Sequence, residues 1–570
     1  MSKKMPAVIA AITAASAILC STVCASVEYT ADDLVQLRNS VLGADKVSSS
    51  NDINGDNTVD SLDLCYLRSL LADSGEYKVQ SFAATAENVK LMGRTIRKND
   101  VTWLVQSGSA AEFTITGKSA EITVAGDSSI NNDEKYRSRY AVFVDDELVT
   151  DEIMSTEEKK ISLFDGDTSR TAKVKVIHLS EAMNGAVGIK DITVDSSAVK
   201  PVAPAAKKDL KIEFIGDSIT CAYGVEGKDA YESFTTATEN FMKSYAYLTA
   251  KQLDADYSAV SYSGHGIISG YTSGEKNTDS LVPDCYGLVS KLSDYAVDWD
   301  FGAEEAPDVV VINLGTNDYS YLSSDLETRS PEFVEGYVDF LKMVREKNPD
   351  AYIICTMGTM GGAEVYDLIE QAVAQFSEET GESRIMSYES VVQNQADGIG
   401  SDWHPSEVTQ QNSAYVLADK ICQALGMESD QIGLNVAADS PYELVTDAEK
   451  GGNAAEYVSD YDKSFWINVV SGGTGADAIE ARISGIGLKK GGKYRLEFDY
   501  TSTVDVTIPL KIEGTGEYYS DEINAVSEKL HYSEELTIPE NDSDAAIVFQ
   551  LGGMDYFNLT LYNIKLVKIA

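Results

Sequence analysis

Leu210-Lys211-Ile212-Glu213-Phe214-Ile215-Gly216-Asp217-Ser218 reads as a strand that ends in a hydroxyl. Its apolar residues run and alternate as those of a strand entering a buried sheet do. Gly216 breaks the strand, and Asp217-Ser218 follows where the chain can turn sharply. Catalytic and ligand groups of open α/β sheets collect at such carboxyl ends of strands, which makes Ser218 the candidate nucleophile. A turn serine that only caps a helix has the same local sequence, so the assignment depends on what lies downstream.

From 207 to 427 strands alternate with helices. Ala259-Val260-Ser261-Tyr262 ends a second strand, Val309-Val310-Val311-Ile312-Asn313-Leu314 is a buried third, and Tyr352-Ile353-Ile354-Cys355-Thr356 is a fourth. Helical stretches such as Phe333–Asn348 and Ala363–Phe376 lie between or after them. This pattern predicts a three-layer α/β domain on a mostly parallel sheet.

Four turns in this region carry chemistry: Gly216-Asp217-Ser218, Ser263-Gly264-His265-Gly266, Gly315-Thr316-Asn317-Asp318 and Asp402-Trp403-His404-Pro405. An acyl-transfer serine needs a base in hydrogen-bond reach, and the base needs a partner that fixes its tautomer. Asp402 and His404, two apart on one loop, can present both side chains to one pocket. His265 is the rival base. The developing oxyanion needs donors, for which the Ser218 amide, the Gly264 amide (with Gly266 as the alternative) and the Asn317 NH₂ are available. His178 and His531 read as ordinary surface or strand histidines.

These four blocks, in this order, resemble those of the SGNH hydrolases. The resemblance implies a flavodoxin-like catalytic domain over 207–427 with Ser218, His404 and Asp402 as its triad. Residues 80–200 show short alternating runs, among them Glu112–Thr116, Ala120–Val124, Tyr140–Val144 and Lys173–Ile177, and predict a β-sandwich. Lys200-Pro201-Val202-Ala203-Pro204-Ala205-Ala206 reads as a stiff linker. A sandwich with Arg139-Tyr140-Ala141-Val142-Phe143-Val144-Asp145 and His178-Leu179-Ser180-Glu181-Ala182, fused before an SGNH domain, resembles carbohydrate esterase family 2. That implies a jelly-roll N-terminal domain and acetyl esters of xylan, glucomannan or related sugars as substrates. It also makes Trp403, beside the catalytic histidine, and Tyr271 candidate substrate-binding aromatics.

Asp52-Ile53-Asn54-Gly55-Asp56-Asn57-Thr58-Val59-Asp60-Ser61-Leu62-Asp63 has the ligand spacing of a calcium loop. Asp52, Asn54, Asp56, Asp60 and Asp63 supply side-chain oxygens and Thr58 a carbonyl. A helix follows at Leu64–Leu71, and Thr30–Arg38 reads as the helix of a matching repeat without its loop. The segment 26–75 resembles a dockerin, which implies one structural Ca²⁺ and a cohesin of a scaffoldin as partner. After Gly426 the chain returns to β patterning, and residues 430–570 predict a second sandwich. It resembles a jelly-roll carbohydrate-binding module, with Trp466, Tyr518, Tyr519 and Tyr556 as candidate sugar-stacking residues.

At 570 residues the chain is too long for one core. Its net charge of −45 argues against nucleic-acid or anionic-membrane partners. Lys3 and Lys4 precede an apolar run from Ala7 to Leu19, and Val23-Cys24-Ala25 offers a cleavage site, so residues 1–25 read as a signal peptide. A lipoprotein leader using Cys20 or Cys24 is the second reading. No later stretch is apolar for the ~18 residues of a membrane span. Cys65, Cys221, Cys285, Cys355 and Cys422 are scattered, with neither disulfide nor zinc spacing.

The expectation from sequence is thus a secreted, cellulosome-associated esterase. It removes O-acetyl groups from plant cell-wall polysaccharide through an acyl-enzyme and needs no cofactor for catalysis. Two rivals remain: an SGNH esterase for a lipid or bacterial-envelope acyl ester, and a non-catalytic carbohydrate-binding docking protein.

Overall fold

The computed structural model describes residues 31–42, 52–53, 58–73, 77–303, 305–438, 440–459 and 463–570. The proposed signal peptide, with its cysteines, lies outside them, as do Asn54 and Asp56 of the proposed calcium loop. Among the described residues no helix is long and apolar enough to cross a membrane.

The central domain is built on five parallel strands. Their order across the sheet is Asp256–Ser261, Lys211–Gly216, Val309–Asn313, Tyr352–Met357 and Ile385–Glu389. All five residues of Val309–Asn313 are buried, because helices cover both faces, and so the strand reads as a continuous apolar run. Helices Leu326–Lys347 and Ala363–Thr380 pack on Val310, Ile312 and Ile353. Helices Tyr245–Gln252 and Glu407–Leu425 pack on Ile212, Phe214 and Val311 of the other face. Lys211–Gly216 is flanked on both sides by the two strands that follow it in sequence. The chain therefore leaves this strand in one direction and later returns to its other side. The crevice at that switch point is where such folds place their sites.

Before it, two six-stranded sheets form the N-terminal sandwich. One tight hairpin joins Arg139–Val144 to Glu147–Ile153 through Asp145 (φ 52°) and Asp146 (φ 67°), the positive-φ pair that a two-residue hairpin turn demands. The segment read as a linker is instead part of this domain. Val202–Pro204 pairs with Ala110–Gly117 as an antiparallel edge strand, a place where proline costs no ladder bond. Nor does a spacer separate the two domains. Ala110, Ala141, Ile177 and Leu179 of the sandwich share one apolar core with Phe214, Phe241 and Tyr257.

Two five-stranded antiparallel sheets make the C-terminal sandwich over Tyr442–Lys568. Lys565 of this domain pairs with Asp397 of the catalytic domain at 2.7 Å. At the other end of the chain, helices Ala31–Val41 and Ser61–Asp73 bury Leu37 and Leu67. Cys65, Cys221, Cys285, Cys355 and Cys422 are free thiols.

Candidate active site

Ser218 opens a one-turn helix, Ser218–Cys221, immediately after the strand Lys211–Gly216. The turn is as tight as the sequence implied. A Cβ on Gly216 would sit 2.1 Å from Thr220 Oγ1. Asp217 caps the turn by accepting the Ile219 N–H at 3.0 Å. The Ser218 hydroxyl lies 2.9 Å from His404 Nε2. Burial pushes the His404 pKa down to about 4, so near neutral pH the imidazole is the free base that acyl transfer requires.

The partner of His404 differs from expectation. Nδ1 faces the main-chain carbonyl of Asp402 at 3.0 Å, not the Asp402 carboxylate. That carboxylate turns outward and accepts from the Tyr223 hydroxyl at 3.1 Å and from the Phe234 N–H at 3.0 Å. The cause is local backbone: Asp402 (φ 49°) and Trp403 (φ 65°) are both left-handed, which reverses the chain between Asp402 and His404 and brings the carbonyl under the ring. A carbonyl can only accept, so Nδ1 carries the hydrogen and Nε2 is left as the base. The structure brings Ser218 and His404 together, and the group that orients the imidazole is a peptide oxygen.

His265, the rival base, has both ring nitrogens engaged away from Ser218. It is buried, with Nδ1 on the Ser263 carbonyl at 2.9 Å and Nε2 beside Lys291 Nζ at 3.0 Å. Its loop does face the nucleophile's side of the crevice through Asn317, whose NH₂ donates to the His265 carbonyl at 2.8 Å and to Asp217 Oδ2 at 3.2 Å. Of the two glycine candidates, Gly266 spends its N–H on the Ser280 carbonyl. Gly264 (φ 73°) has open space around it. Among the described residues, neither its N–H nor that of Ser218 has an acceptor.

Two buried acids hold these loops. Asp318, adjacent to Asn317, accepts the N–H groups of Ile267, Ile268 and Ser269 at 2.8–3.1 Å. Burial raises its pKa, and burial with the neighbouring Asp318 charge pushes Asp217 up to about 7. Both lie in the quoted blocks, but nothing in a one-dimensional pattern shows that they brace loops rather than react.

Aromatic rings line one side. Tyr223 stacks on Phe234 at 3.9 Å and lies 4.2 Å from the His404 ring. Beyond it, Tyr231 (82% exposed) meets Trp403 (47% exposed) edge to face. Tyr271 is exposed, and its N–H ties it to the Gly264 carbonyl at 2.8 Å. Tyr223, Phe234 and Tyr231 escaped the sequence reading because the segment Ala222–Glu239 has no regular period to mark it. His178 is buried in the sandwich and His531 is exposed on a strand beside Asp499.

A serine at a parallel-sheet switch point, with an imidazole nitrogen 2.9 Å from its hydroxyl and amide donors without acceptors beside it, is the arrangement of an esterase of the SGNH class. Residues 214–411 match the GDSL-like Lipase/Acylhydrolase family, and residues 91–204 match the Carbohydrate esterase 2 N-terminal family. The chain belongs to carbohydrate esterase family 2 and is an esterase. It is 31% identical over 265 residues to an acetylxylan esterase / glucomannan deacetylase of Cellvibrio japonicus, covering 45% of this chain and 70% of that protein. It is 32% identical over 323 residues to the cellulase/esterase CelE of Acetivibrio thermocellus, covering 56% of this chain and spanning 37% of CelE. Among solved structures, a family two carbohydrate esterase from Clostridium thermocellum, in complex with cellohexaose, is 30% identical with a TM-score of 0.52. That match covers 59% of this chain and 99% of the other.

Proposed function

We propose that the protein removes O-acetyl groups from plant cell-wall polysaccharides such as xylan or glucomannan. The observation that carries this reading is the 2.9 Å Ser218–His404 pair, with exposed Trp403 next to His404 in the chain, exposed Tyr231 edge-on to Trp403, and exposed Tyr271 tied to the Gly264 carbonyl. Exposed rings suit the apolar faces of pyranoses, and the named relatives are carbohydrate esterases. His404 Nε2 takes the Ser218 proton as the hydroxyl oxygen attacks the acetyl carbonyl. The oxyanion is received by the Ser218 and Gly264 N–H groups and by Asn317, whose longer bond to Asp217 is the one it displaces. His404 returns the proton to the departing sugar oxygen. A water deprotonated by the same ring then releases acetate and free Ser218.

The remaining modules extend this reading. Asp63 is fully buried and its carboxylate gathers the N–H groups of Ile53 at 2.7 Å and Asp60 at 2.9 Å. This closes the ends of the acidic loop on one another. That closure and the oxygen-only donor set suit a hard cation. Asp52, Asn54, Asp56, Thr58, Asp60 and Asp63 would hold one Ca²⁺, which would fix the loop between the two helices of a cohesin-binding dockerin. The leader would export the chain to a cellulosome.

In the C-terminal sandwich a cleft of ≈ 540 Å³ is lined by Tyr457, Trp466, Asn468, Thr501, Thr503 and Asn558. Tyr457 (66% exposed) and Trp466 (50% exposed) are direct cross-strand partners. Apart from Glu456 the cleft is lined by hydroxyl, amide, aromatic and apolar groups, a surface that suits an uncharged polysaccharide. Tyr518 and Tyr519 lie on the opposite sheet and pack against the core, and Tyr556 lies outside the cleft. Of the four aromatics named from sequence, only Trp466 lines it.

Acetate release from a panel of acetylated polysaccharides tests the reading. Release from xylan or glucomannan, abolished by Ser218→Ala, supports it. Hydrolysis confined to long-chain acyl esters overturns it. Loss of glycan binding by Trp466→Ala in the Ser218→Ala background tests the cleft.

A further inference from the structure

We propose that Glu181 is a positioning residue of the oxyanion hole, through which the N-terminal sandwich sets the Ser263–Gly264 main chain, and that Glu239 fixes Glu181 in turn. The proposal rests on Gly264 serving the oxyanion as described above. Glu181 follows the last turn of the sandwich strand Arg170–His178 and is buried against the catalytic domain. Its Oε2 accepts the Ser263 N–H at 2.8 Å. Ser263 directly precedes Gly264, so this bond fixes the peptide plane next to the amide that must point at the oxyanion.

Gly264 needs such a brace. Nothing lies within 4 Å of where its Cβ would be, so no side-chain packing holds it. On its far side the turn is pinned at the Gly264, His265 and Gly266 main chain and by the Asp318 cradle at Ile267–Ser269. Glu181 is the support on the near side.

Glu181 is itself held by an acid. Its N–H donates to Glu239 Oε2 at 2.9 Å, and the carboxyls of Glu181 and Glu239 and the thiol of Cys221 all have atoms within 4.8 Å of one another. The Arg139 charge offsets this only in part, because it forms no ion pair with either acid. Its guanidinium pairs with Asp151 and Glu226 and reaches Glu239 only at the main-chain carbonyl. Two buried carboxyls this close do not both ionise. Burial raises both, and the Glu181 charge raises Glu239 further. Glu239 Oε1 has no hydrogen-bond partner, so it is the oxygen left to carry the proton, while Glu181 Oε2 remains the acceptor for Ser263.

This division of roles makes the test specific. Glutamine at 181 keeps an acceptor for Ser263 and removes the charge that Glu181 shares with Glu239. Alanine removes the acceptor, and aspartate keeps the charge but falls one methylene short. Hydrolysis of 4-nitrophenyl acetate is measured for wild type, Glu181→Ala, Glu181→Asp and Glu181→Gln, with thermal unfolding of each. A misplacement of about 1 Å costs up to ~10² in rate. Glu181→Ala and Glu181→Asp should therefore lower kcat about 10- to 100-fold with KM within about twofold, and Glu181→Gln should recover kcat to within about threefold of wild type. A folded Glu181→Ala with wild-type kcat overturns the proposal, as does a loss confined to KM, or Glu181→Gln as slow as Glu181→Ala. If Glu181→Ala does not fold, the Asp and Gln variants decide, and Glu181→Asp as fast as wild type overturns it. Should wild type hydrolyse no acetyl ester, the proposed function fails. The rate of Ser218 labelling by a fluorophosphonate, which needs the same hole but no acetyl substrate, then reads the same three variants.

Discussion

Replacing Asp402 by asparagine separates two ways of orienting a catalytic histidine. If the carboxylate held Nδ1–H, the amide could present its NH₂ instead and force the wrong tautomer, a change that lowers kcat about 10⁴-fold in the chymotrypsin-type triad. Here the acceptor is the Asp402 main-chain carbonyl at 3.0 Å, which the substitution leaves in place. Asparagine also tolerates the left-handed φ of 49° at this position. Its side-chain oxygen can still accept from Tyr223 and Phe234, the two partners of the carboxylate.

What is lost is one exposed negative charge near the imidazolium of the transition state. Exposed charge interactions are worth up to ~1 kcal/mol, or about fivefold in rate. The expected result for Asp402→Asn is a kcat/KM on 4-nitrophenyl acetate within about tenfold of wild type. Ser218→Ala and His404→Ala should each fall by several orders of magnitude, since the pair acts as a unit. Asp402→Ala should do worse than Asp402→Asn and unfold earlier. It strips the Phe234 N–H and the Tyr223 hydroxyl of their acceptor and places alanine in a conformation costing roughly 1–2 kcal/mol. A loss of 10³ or more in Asp402→Asn, with the loop intact by thermal unfolding, would refute the carbonyl assignment.

Asn317→Ala should lower kcat about 10²–10³-fold with little change in KM, because its bond to the oxyanion forms only in the transition state; a pure KM effect would place it in ground-state binding. The acid limb of kcat/KM should fall near pH 4. The reactive form of His404 is the neutral one, and burial holds its pKa down to about 4, so acid silences the base well below the ordinary histidine value of ~6.5. A limb at 6 to 7 would show an unperturbed histidine. Calcium should raise helical circular dichroism of the segment 26–75 at near one equivalent, and chelator should reverse this in the full chain without loss of esterase activity; full helicity in excess chelator would remove the calcium reading.

Sequence made the catalytic domain legible because its signals are local. The buried run Val309–Asn313 and the breaker Gly216 each announce themselves within a few residues, and the fold then brings Ser218, Gly264 and Asn317 to one switch point. Ile385–Glu389 was missed because it is a short edge strand buried only in part. Val202–Pro204 was misread because its prolines mimic a linker, and its pairing with Ala110–Gly117 is a contact about 90 residues away that no local pattern reports.

The misreading at Asp402 has a different origin. Asp-Trp-His offers the right residue types at the right spacing, and an extended loop would have aimed both side chains the same way, as alternate residues of a strand do. Two consecutive left-handed residues break that geometry. The aspartate suits the position in a different capacity: it is one of the few residue types that sits at positive φ with little strain, and its carboxylate accepts from Phe234 and Tyr223, the stacked pair beside the base. Its main chain orients His404 while its side chain builds the pocket, so one residue serves the base twice without its charge facing the ring nitrogen. The residue type that a triad would demand and the one that a left-handed cap would demand coincide here, and sequence pattern cannot separate them. Only the direction of the Asp402 carboxylate does.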